Sequence, residues 1–152
     1  MYKLNIKYMS SISQSLKFFL NLNTVQVLTA KRFDSKLSSH GISLNDFMIL
    51  YHVGEATDEK LRRTDLAEKI GLTASGITRM LMPLEKLGLV RKEANSRDAR
   101  VSYVKLAPAG KRLLNEAIAT AEATTEQILN STKNRKVDDL SKILIELGGT
   151  IE

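Results

Sequence analysis

The chain has 152 residues, 43% of them hydrophobic, which suits one domain with an ordinary hydrophobic core. It contains no cysteine, so disulfides, thiol redox sensing and cysteine-bound metals are excluded. Its apolar runs are far shorter than the roughly 20 residues that span a bilayer, and the sequence has no signal-type segment. We therefore expect a cytoplasmic protein that makes no membrane contact.

Positive charge is concentrated in the middle of the chain. The formal net charge is +6, but residues 60–112 contain 13 Lys or Arg against 5 Asp or Glu, and the remainder contains 10 against 12. An even spread would indicate an ordinary solvated surface. The observed asymmetry is typical of a surface that neutralises nucleic-acid phosphates.

The first part of the chain is predicted to be a long helix. Residues 1–9 show no clear period and are left unassigned. From about Ser10 to Ser39, apolar residues recur at helical spacing with no Pro or Gly between them. They form two apolar sides, which indicates a helix buried on more than one side, either in its own core or by a partner chain.

A second helix is predicted after Gly41. Ser43 and Asp46, three residues apart, have the spacing of a capping box, in which each side chain accepts a hydrogen bond from the other residue's backbone. This helix should end near Gly54. The acidic segment of residues 55–60 is then predicted to be a surface loop.

Residues 63–82 have the pattern of a helix-turn-helix. Gly71 can adopt the left-handed conformation that ends the first helix, and Thr73 can cap the second. Ala67 is small where two helices must approach closely. The apolar positions that would pack the pair are Leu66, Ile70, Leu72, Ile77 and Met80.

The second helix of this pair has a polar stripe opposite its packing stripe. The packing stripe consists of Ile77, Met80, Leu81 and Leu84, and the opposite stripe consists of Ser75, Thr78, Arg79 and Met82. A short polar face with one arginine suits a helix that reads base edges in a groove about 12 Å wide. Two ordinary packed helices are the simpler interpretation, but the joint match of so many positions favours nucleic-acid binding.

A two-stranded hairpin is predicted directly after this helix. Pro83 removes one helical N–H and should kink or loosen the helix, which Gly88 then ends. Residues 89–92 and 101–106 alternate as strands do. The hairpin makes the unit a winged helix-turn-helix.

The tip of the wing carries two arginines, Arg97 and Arg100, on either side of Asp98. The arginines are candidates for contact with a minor groove or with phosphates. A carboxylate would repel phosphate, so Asp98 is predicted to hold an arginine in place by a charge-assisted hydrogen bond.

Two helices are predicted after the wing. The first begins at Pro108, which suits a first helical turn, and continues to about Ser131; the second covers about Lys136 to Leu147. Their apolar faces exceed what a small winged domain can cover. Together with the N-terminal helix they are interpreted as a dimerisation layer.

Three local strings carry a family resemblance: DLAEKIGLTASGITR, LEKLGLV and SRDARVSYVKLAPAGKRLL. With the order of elements, they make the chain similar to the MarR (multiple-antibiotic-resistance regulator) family of transcription factors over about residues 10–148, most specifically over 63–112. The resemblance implies a homodimer that places two recognition helices in successive major grooves of a pseudo-palindromic operator. It also implies repression of transcription that is relieved by a small, aromatic or phenolic ligand.

The residues predicted to bind DNA are Thr73, Ser75, Gly76, Thr78, Arg79, Arg97 and Arg100. The resemblance implies base or phosphate contacts for Ser75, Thr78 and Arg79 on the second helix. It implies contacts of the same kind for Arg97 and Arg100 in the wing. It implies a bracing role in the wing for Asp98. The sequence departs from the family pattern at Arg62, where a Ser or Thr cap is frequent, and at Ala107, where Thr is frequent.

The predicted fold is mainly α with a small β hairpin. Residues 1–9 are unassigned, residues 10–40 form a dimerisation helix, residues 41–107 form the winged helix-turn-helix DNA-binding domain, and residues 108–148 form further dimerisation helices. The predicted partners are double-stranded DNA and a second copy of the chain.

Two alternatives to DNA binding were weighed. An enzyme finds little support, because the sequence has no phosphate-binding glycine loop and no catalytic triad pattern, and no cofactor or metal is predicted. His40 and His52 are interpreted as structural histidines with satisfied hydrogen bonds. Winged domains can also bind proteins or RNA, but an RNA duplex has a major groove too narrow for a helix.

Overall fold

The computed structural model describes residues 12–98, 100–130 and 136–151, and over these residues the chain is mainly helical with one small sheet. The helices are α1 (Gln14–Leu37), α2 (Leu44–Gly54), α3 (Arg63–Ile70), α4 (Ala74–Lys86), α5 (Pro108–Leu129) and α6 (Val137–Glu146), and the strands are β1 (Lys60–Arg62), β2 (Val90–Ala94) and β3 (Ser102–Leu106). The predicted fold class and the order of its helices are confirmed. Residues 1–9 and the predicted helix ends at Ser10 and Ser131 lie outside the described residues.

The sheet has a third strand that the sequence analysis missed. Its order is β1-β3-β2 and both pairs are antiparallel, with Lys60 opposite Lys105 and Val90 opposite Leu106. The segment predicted as a surface loop contains a short 3₁₀ turn, Thr57–Glu59, and its last residue begins β1. The predicted hairpin of β2 and β3 is confirmed, but the loop prediction was wrong at Lys60, because pairing with β3 makes residues 60–62 a third strand.

Helix ends follow the local signals in the sequence. Ser43 and Asp46 form the predicted capping box at the start of α2, and the Leu44 backbone N–H also donates to Asp34 Oδ1 at 2.7 Å. Gly41 and Gly88 both have φ near +70°, and each follows the end of a helix. Helix α4 continues through Pro83 to Lys86, so the proline does not end it.

The hydrophobic core is formed mainly by the winged helix-turn-helix, and Leu37 of α1 and Leu114 and Ala117 of α5 also belong to it. The fully buried large side chains are Leu37, Ile49, Leu50, Leu66, Ile77, Leu81, Leu84, Val53 and Val104. Helix α5 packs very closely against the chain at Gly110. A Cβ at this position would lie 2.9 Å from the carbonyl carbon of Leu89 and closer still to its oxygen. Only glycine allows the start of α5 to approach β2 this closely.

The helices at the two ends of the chain expose apolar side chains. Of the residues in α1, only Leu37 is buried, and α6 has no buried residue. Phe18 and Val25 of α1, with Leu140 and Ile143 of α6, line a groove of about 310 Å³ whose walls are almost entirely apolar. Over the described residues, no helix has both the length and the apolar character that crossing a membrane requires.

The two histidines differ from each other. His40 Nε2 lies 2.7 Å from Thr120 Oγ1, so this histidine has the hydrogen-bond partner that was predicted for it. His52 is 5% exposed, yet its Nε2 has no hydrogen-bond partner among the described residues. The prediction that His52 is a satisfied structural histidine is therefore wrong, because the surroundings of α2 bury the ring without supplying a partner for that atom.

Candidate nucleic-acid interface

The turn between α3 and α4 is set by Gly71 and Thr73. Gly71 has φ +72°, and the backbone N–H of Leu72 after it donates to Ala67 O at 2.8 Å, which closes the end of α3. The hydroxyl oxygen of Thr73 accepts from the Gly76 backbone N–H at 3.0 Å and caps α4. The predicted caps are both present, and they fix the direction in which α4 leaves the turn.

Helix α4 has one buried and one exposed side. Ile77, Leu81 and Leu84 are buried against the core. Arg79 is exposed on the other side, and it makes no ion pair with the described residues. The guanidinium group is therefore free to meet a ligand on the outside of the domain.

The other predicted contact residues on α4 lie close to Thr73 at the helix N-terminus. Ser75 is exposed and its hydroxyl lies 3.2 Å from that of Thr73. Thr78 is half-buried and its hydroxyl donates to Ala74 O at 2.8 Å, which leaves its oxygen lone pairs available. Gly76 is half-buried, and its backbone N–H already donates to the Thr73 hydroxyl.

The wing tip is held by its own side chains. Asn95 Oδ1 accepts from the Arg97 backbone N–H at 2.8 Å, and the Arg97 side chain is exposed. Asp98 Oδ1 accepts from the Arg100 backbone N–H at 3.0 Å and forms an ion pair with Arg100 Nε at 3.2 Å. Both bonds hold the pKa of Asp98 below its ordinary value, and the bond from the Arg100 backbone has a larger effect than the bond from its guanidinium.

Two further cations tie the wing to the helix-turn-helix, a role that was not predicted from the sequence. Tyr103 lies opposite Arg62 in the β1–β3 pair, and hydrogen bonding to the tyrosine hydroxyl oxygen raises the pKa of the Arg62 guanidinium. Lys60 Nζ donates to Glu93 Oε1 at 2.8 Å, which raises the pKa of the lysine and lowers that of the glutamate, and it lies 5.2 Å from the centre of the Tyr103 ring. Nothing local marks these contacts, because each joins residues from distant parts of the sequence.

The site residues fall into two groups on neighbouring elements. Thr73, Ser75, Gly76 and Thr78 cluster in the first turns of α4, with Arg79 beside them, and Arg97, Asp98 and Arg100 cluster at the wing tip. Strand β2 follows α4 directly and joins the groups. Within the described part of the chain, no cluster of three or more His, Asp or Glu side chains could bind a metal ion.

Comparison with known proteins points in one direction. A model of the MarR family matches residues 40–101, which include the helix-turn-helix and most of the wing. The chain is 25% identical over 138 residues to the HTH-type transcriptional regulator MhqR of Bacillus subtilis, covering 89% of this chain and 92% of that one. It is also 25% identical over 133 residues to the HTH-type transcriptional repressor YetL of the same organism, covering 88% of this chain and 80% of that one.

The fold is also similar to that of a solved protein–DNA complex. Sco3205, a MarR family transcriptional regulator from Streptomyces coelicolor whose structure was determined in complex with DNA, superposes with a TM-score of 0.79 at 19% identity. The match covers 90% of each chain. At that identity the comparison establishes the shared fold.

Proposed function

Because the chain belongs to the MarR family of winged helix-turn-helix transcriptional regulators, we propose that it is a repressor that binds a pseudo-palindromic DNA operator as a homodimer and is released by a small ligand. The relatives are regulators of transcription, and no enzymatic activity is assigned to this chain. In this proposal α4 enters the major groove and the wing contacts the adjacent backbone or minor groove.

The observation that carries the proposal is the exposed polar face of α4. Arg79 lies outside the core, without an ion-pair partner among the described residues, on a helix whose opposite face is fully buried. A helix anchored in this way can present one arginine rigidly to guanine O6 and N7 or to a phosphate. The net charge of +8 over residues 60–112 supplies the general attraction for DNA.

The homodimer is supported by the helices at the ends of the chain. Phe19 and Leu20 of α1, Leu140 of α6 and Leu147 directly after α6 are each about half exposed. So many exposed apolar side chains on two helices are unusual in a monomer and are typical of an interface between copies. Residues 10–40 and 108–148 are accordingly proposed as the dimerisation layer, and residues 41–107 as the DNA-binding domain.

Repression and its relief by an aromatic or phenolic ligand are the finer parts of the proposal. YetL is named a repressor, which supports the sign of regulation. A regulator of this kind needs an effector that binds the free form more tightly than the DNA-bound form.

The direct test is selection of duplex DNA fragments from a random pool by the purified full chain. We expect enrichment of an inverted repeat whose half-site centres lie about 10 base pairs apart, because two α4 helices in a symmetric dimer reach successive major grooves on one side of the duplex. Affinity should fall steeply as salt is raised. A pool without an enriched motif would contradict operator recognition, and tighter binding to RNA or to single strands would contradict major-groove binding.

A further inference from the structure

An exposed methionine lies on the face of α4 that is proposed to meet DNA. Met82 is 51% exposed, and it follows Arg79 by three residues, so the two side chains are neighbours on one side of the helix. Within the described part of the chain, the other methionines, Met48 and Met80, are partly buried. The thioether of Met82 is therefore available to a ligand outside the domain.

Met82 belongs to a stripe of exposed side chains along α4. The stripe consists of Ser75, Arg79, Met82 and Lys86. Successive members are three or four residues apart, which places them on the same side of the helix. The opposite side is buried against the core and fixes the rotation of α4 about its axis. A ligand that meets Arg79 along this helix therefore also meets Met82.

The chemistry of Met82 suits a base edge better than a phosphate. Its thioether has no charge and accepts hydrogen bonds only weakly, so it gives a phosphate little attraction. The apolar group that the major groove of DNA displays is the C5 methyl group of thymine. A methionine side chain is unbranched and polarisable, and it can adapt its shape to such a group.

The spacing between Arg79 and Met82 fits neighbouring base pairs. Three residues of an α-helix advance about 4.5 Å along its axis. Successive bases along one strand are about 3.4 Å apart. A helix that lies in the major groove can therefore bring Arg79 to one base pair and Met82 to the next.

We propose that Met82 is a specificity-determining residue, whose thioether contacts the C5 methyl group of a thymine beside the base pair that Arg79 reaches. This inference rests on the proposed function, because it requires α4 to lie in the major groove. It adds an apolar contact, and with it a preference for thymine, to the polar contacts proposed for Ser75 and Thr78. Half of the Met82 side chain is already in solvent, so Met82→Ala should fold.

The test removes the methyl group from the DNA and the thioether from the protein in turn. Each thymine of the selected operator is replaced, in both half-sites, by deoxyuridine, which lacks only the C5 methyl group. At one thymine position this should weaken binding by the unaltered chain about threefold or more at fixed salt, because one buried methyl contact is lost. Met82→Ala should bind the unmodified operator more weakly and should no longer distinguish thymine from deoxyuridine at that position.

Two further variants separate the thymine contact from a general effect on the helix. Leu87, directly after α4, is 63% exposed and lies off the stripe. Leu87→Ala removes a similar apolar side chain, and it should distinguish thymine from deoxyuridine as strongly as the unaltered chain does. Met82→Leu keeps an apolar side chain of similar size, and it should also still respond to the methyl group.

Two results would overturn the inference and leave the proposed function standing. The first is a selected operator in which no replacement of thymine by deoxyuridine weakens binding. The second is a Met82→Ala variant that responds to deoxyuridine as strongly as the unaltered chain. A chain that selects no operator would contradict the proposed function, and this inference with it.

Discussion

Asp98 holds Arg100 at the tip of the wing: its Oδ1 accepts from the Arg100 backbone N–H at 3.0 Å and from Nε at 3.2 Å, and its Oδ2 lies 3.4 Å from Nη2. The Arg100 side chain is still 91% exposed. The carboxylate thus orders the arginine without burying it. Because its pKa is lowered, Asp98 stays charged throughout the neutral range, and this arrangement should persist there.

The wing should add affinity more than sequence preference. Arg97→Ala combined with Arg100→Ala should weaken binding to all duplexes and lower the slope of log affinity against log salt by about one to two, because phosphate contacts release counterions. The measurement is fluorescence anisotropy over a salt series, on operator and unrelated DNA. Lys31→Ala with Lys36→Ala removes the same charge from α1 and should alter the slope less. An unchanged slope in the wing variant would show that the wing does not meet phosphates.

The exposed face of α6 should be essential for the dimer. Leu140 and Leu144 are 48% and 44% exposed in the single chain, so Leu140→Glu with Leu144→Glu should leave each chain folded but separate the copies. Sedimentation velocity at micromolar concentration should report a monomer. Lys142→Glu changes the net charge by the same amount on another side of α6 and should remain dimeric. A dimeric double variant, or a monomeric unaltered chain, would contradict the interface.

Gly110 should be required for stability. Gly110→Ala places a methyl group against the backbone carbonyl of Leu89, where little can move, and should lower the free energy of unfolding by about 1–3 kcal/mol. Asn115→Ala, at an exposed position of the same helix, should change it by less than about 0.5 kcal/mol. Urea denaturation of both variants checks this. Equal stability of the Gly110→Ala variant and the unaltered chain would mean that α5 can shift away from Leu89 without cost.

His52 should make stability depend on pH. The folded state lowers the pKa of this histidine below its ordinary 6.5, so below that pH the unfolded chain takes up a proton that the folded chain does not. The contribution of the neutral His52 ring to the free energy of unfolding is complete above pH 6.5 and is lost as the pH falls towards the folded pKa. Over that range the free energy of unfolding should fall by at most about 1.4 kcal/mol per pH unit.

The measurement is urea denaturation between about pH 7.5 and 5.5, where the unfolded histidine titrates. His52→Gln should reduce the loss of stability over this range. His40→Gln, which removes the other histidine, serves as the control. If the His52 variant loses stability with pH as steeply as the unaltered chain, the folded state does not hold this ring neutral.

The parts of the fold that could be predicted depend on neighbouring residues. Gly71 and Thr73 mark the turn because a left-handed glycine and a hydroxyl cap act on backbone groups within five residues. The capping box of Ser43 and Asp46 is equally local. The polar face of α4 was also predictable, since helical periodicity alone separates Arg79 from the buried side.

The parts that could not be predicted depend on distant partners. Residues 60–62 become a strand only because β3, more than 40 residues later, pairs with them. Lys60 and Glu93 are 33 residues apart, so their ion pair leaves no local pattern. The unpartnered Nε2 of His52 depends on what surrounds α2 in three dimensions, and an apolar helix with one histidine does not reveal it.

The central claim is that α4 reads DNA through Arg79. Its side chain lies off the packed stripe, so Arg79→Ala should leave the unfolding midpoint and the dimer almost unchanged. A contact from this arginine to guanine or phosphate is worth about 1–3 kcal/mol, whereas a merely solvated arginine contributes almost nothing. Arg112→Ala removes an identical charge from an exposed position on α5 and serves as the matched control.

The decisive measurement is the dissociation constant for the selected operator at one fixed salt concentration, for the unaltered chain and both variants. The account predicts that Arg79→Ala weakens operator binding by about tenfold or more, and that Arg112→Ala changes it far less. Equal operator affinity of the Arg79→Ala variant and the unaltered chain would contradict the claim that this helix reads the DNA.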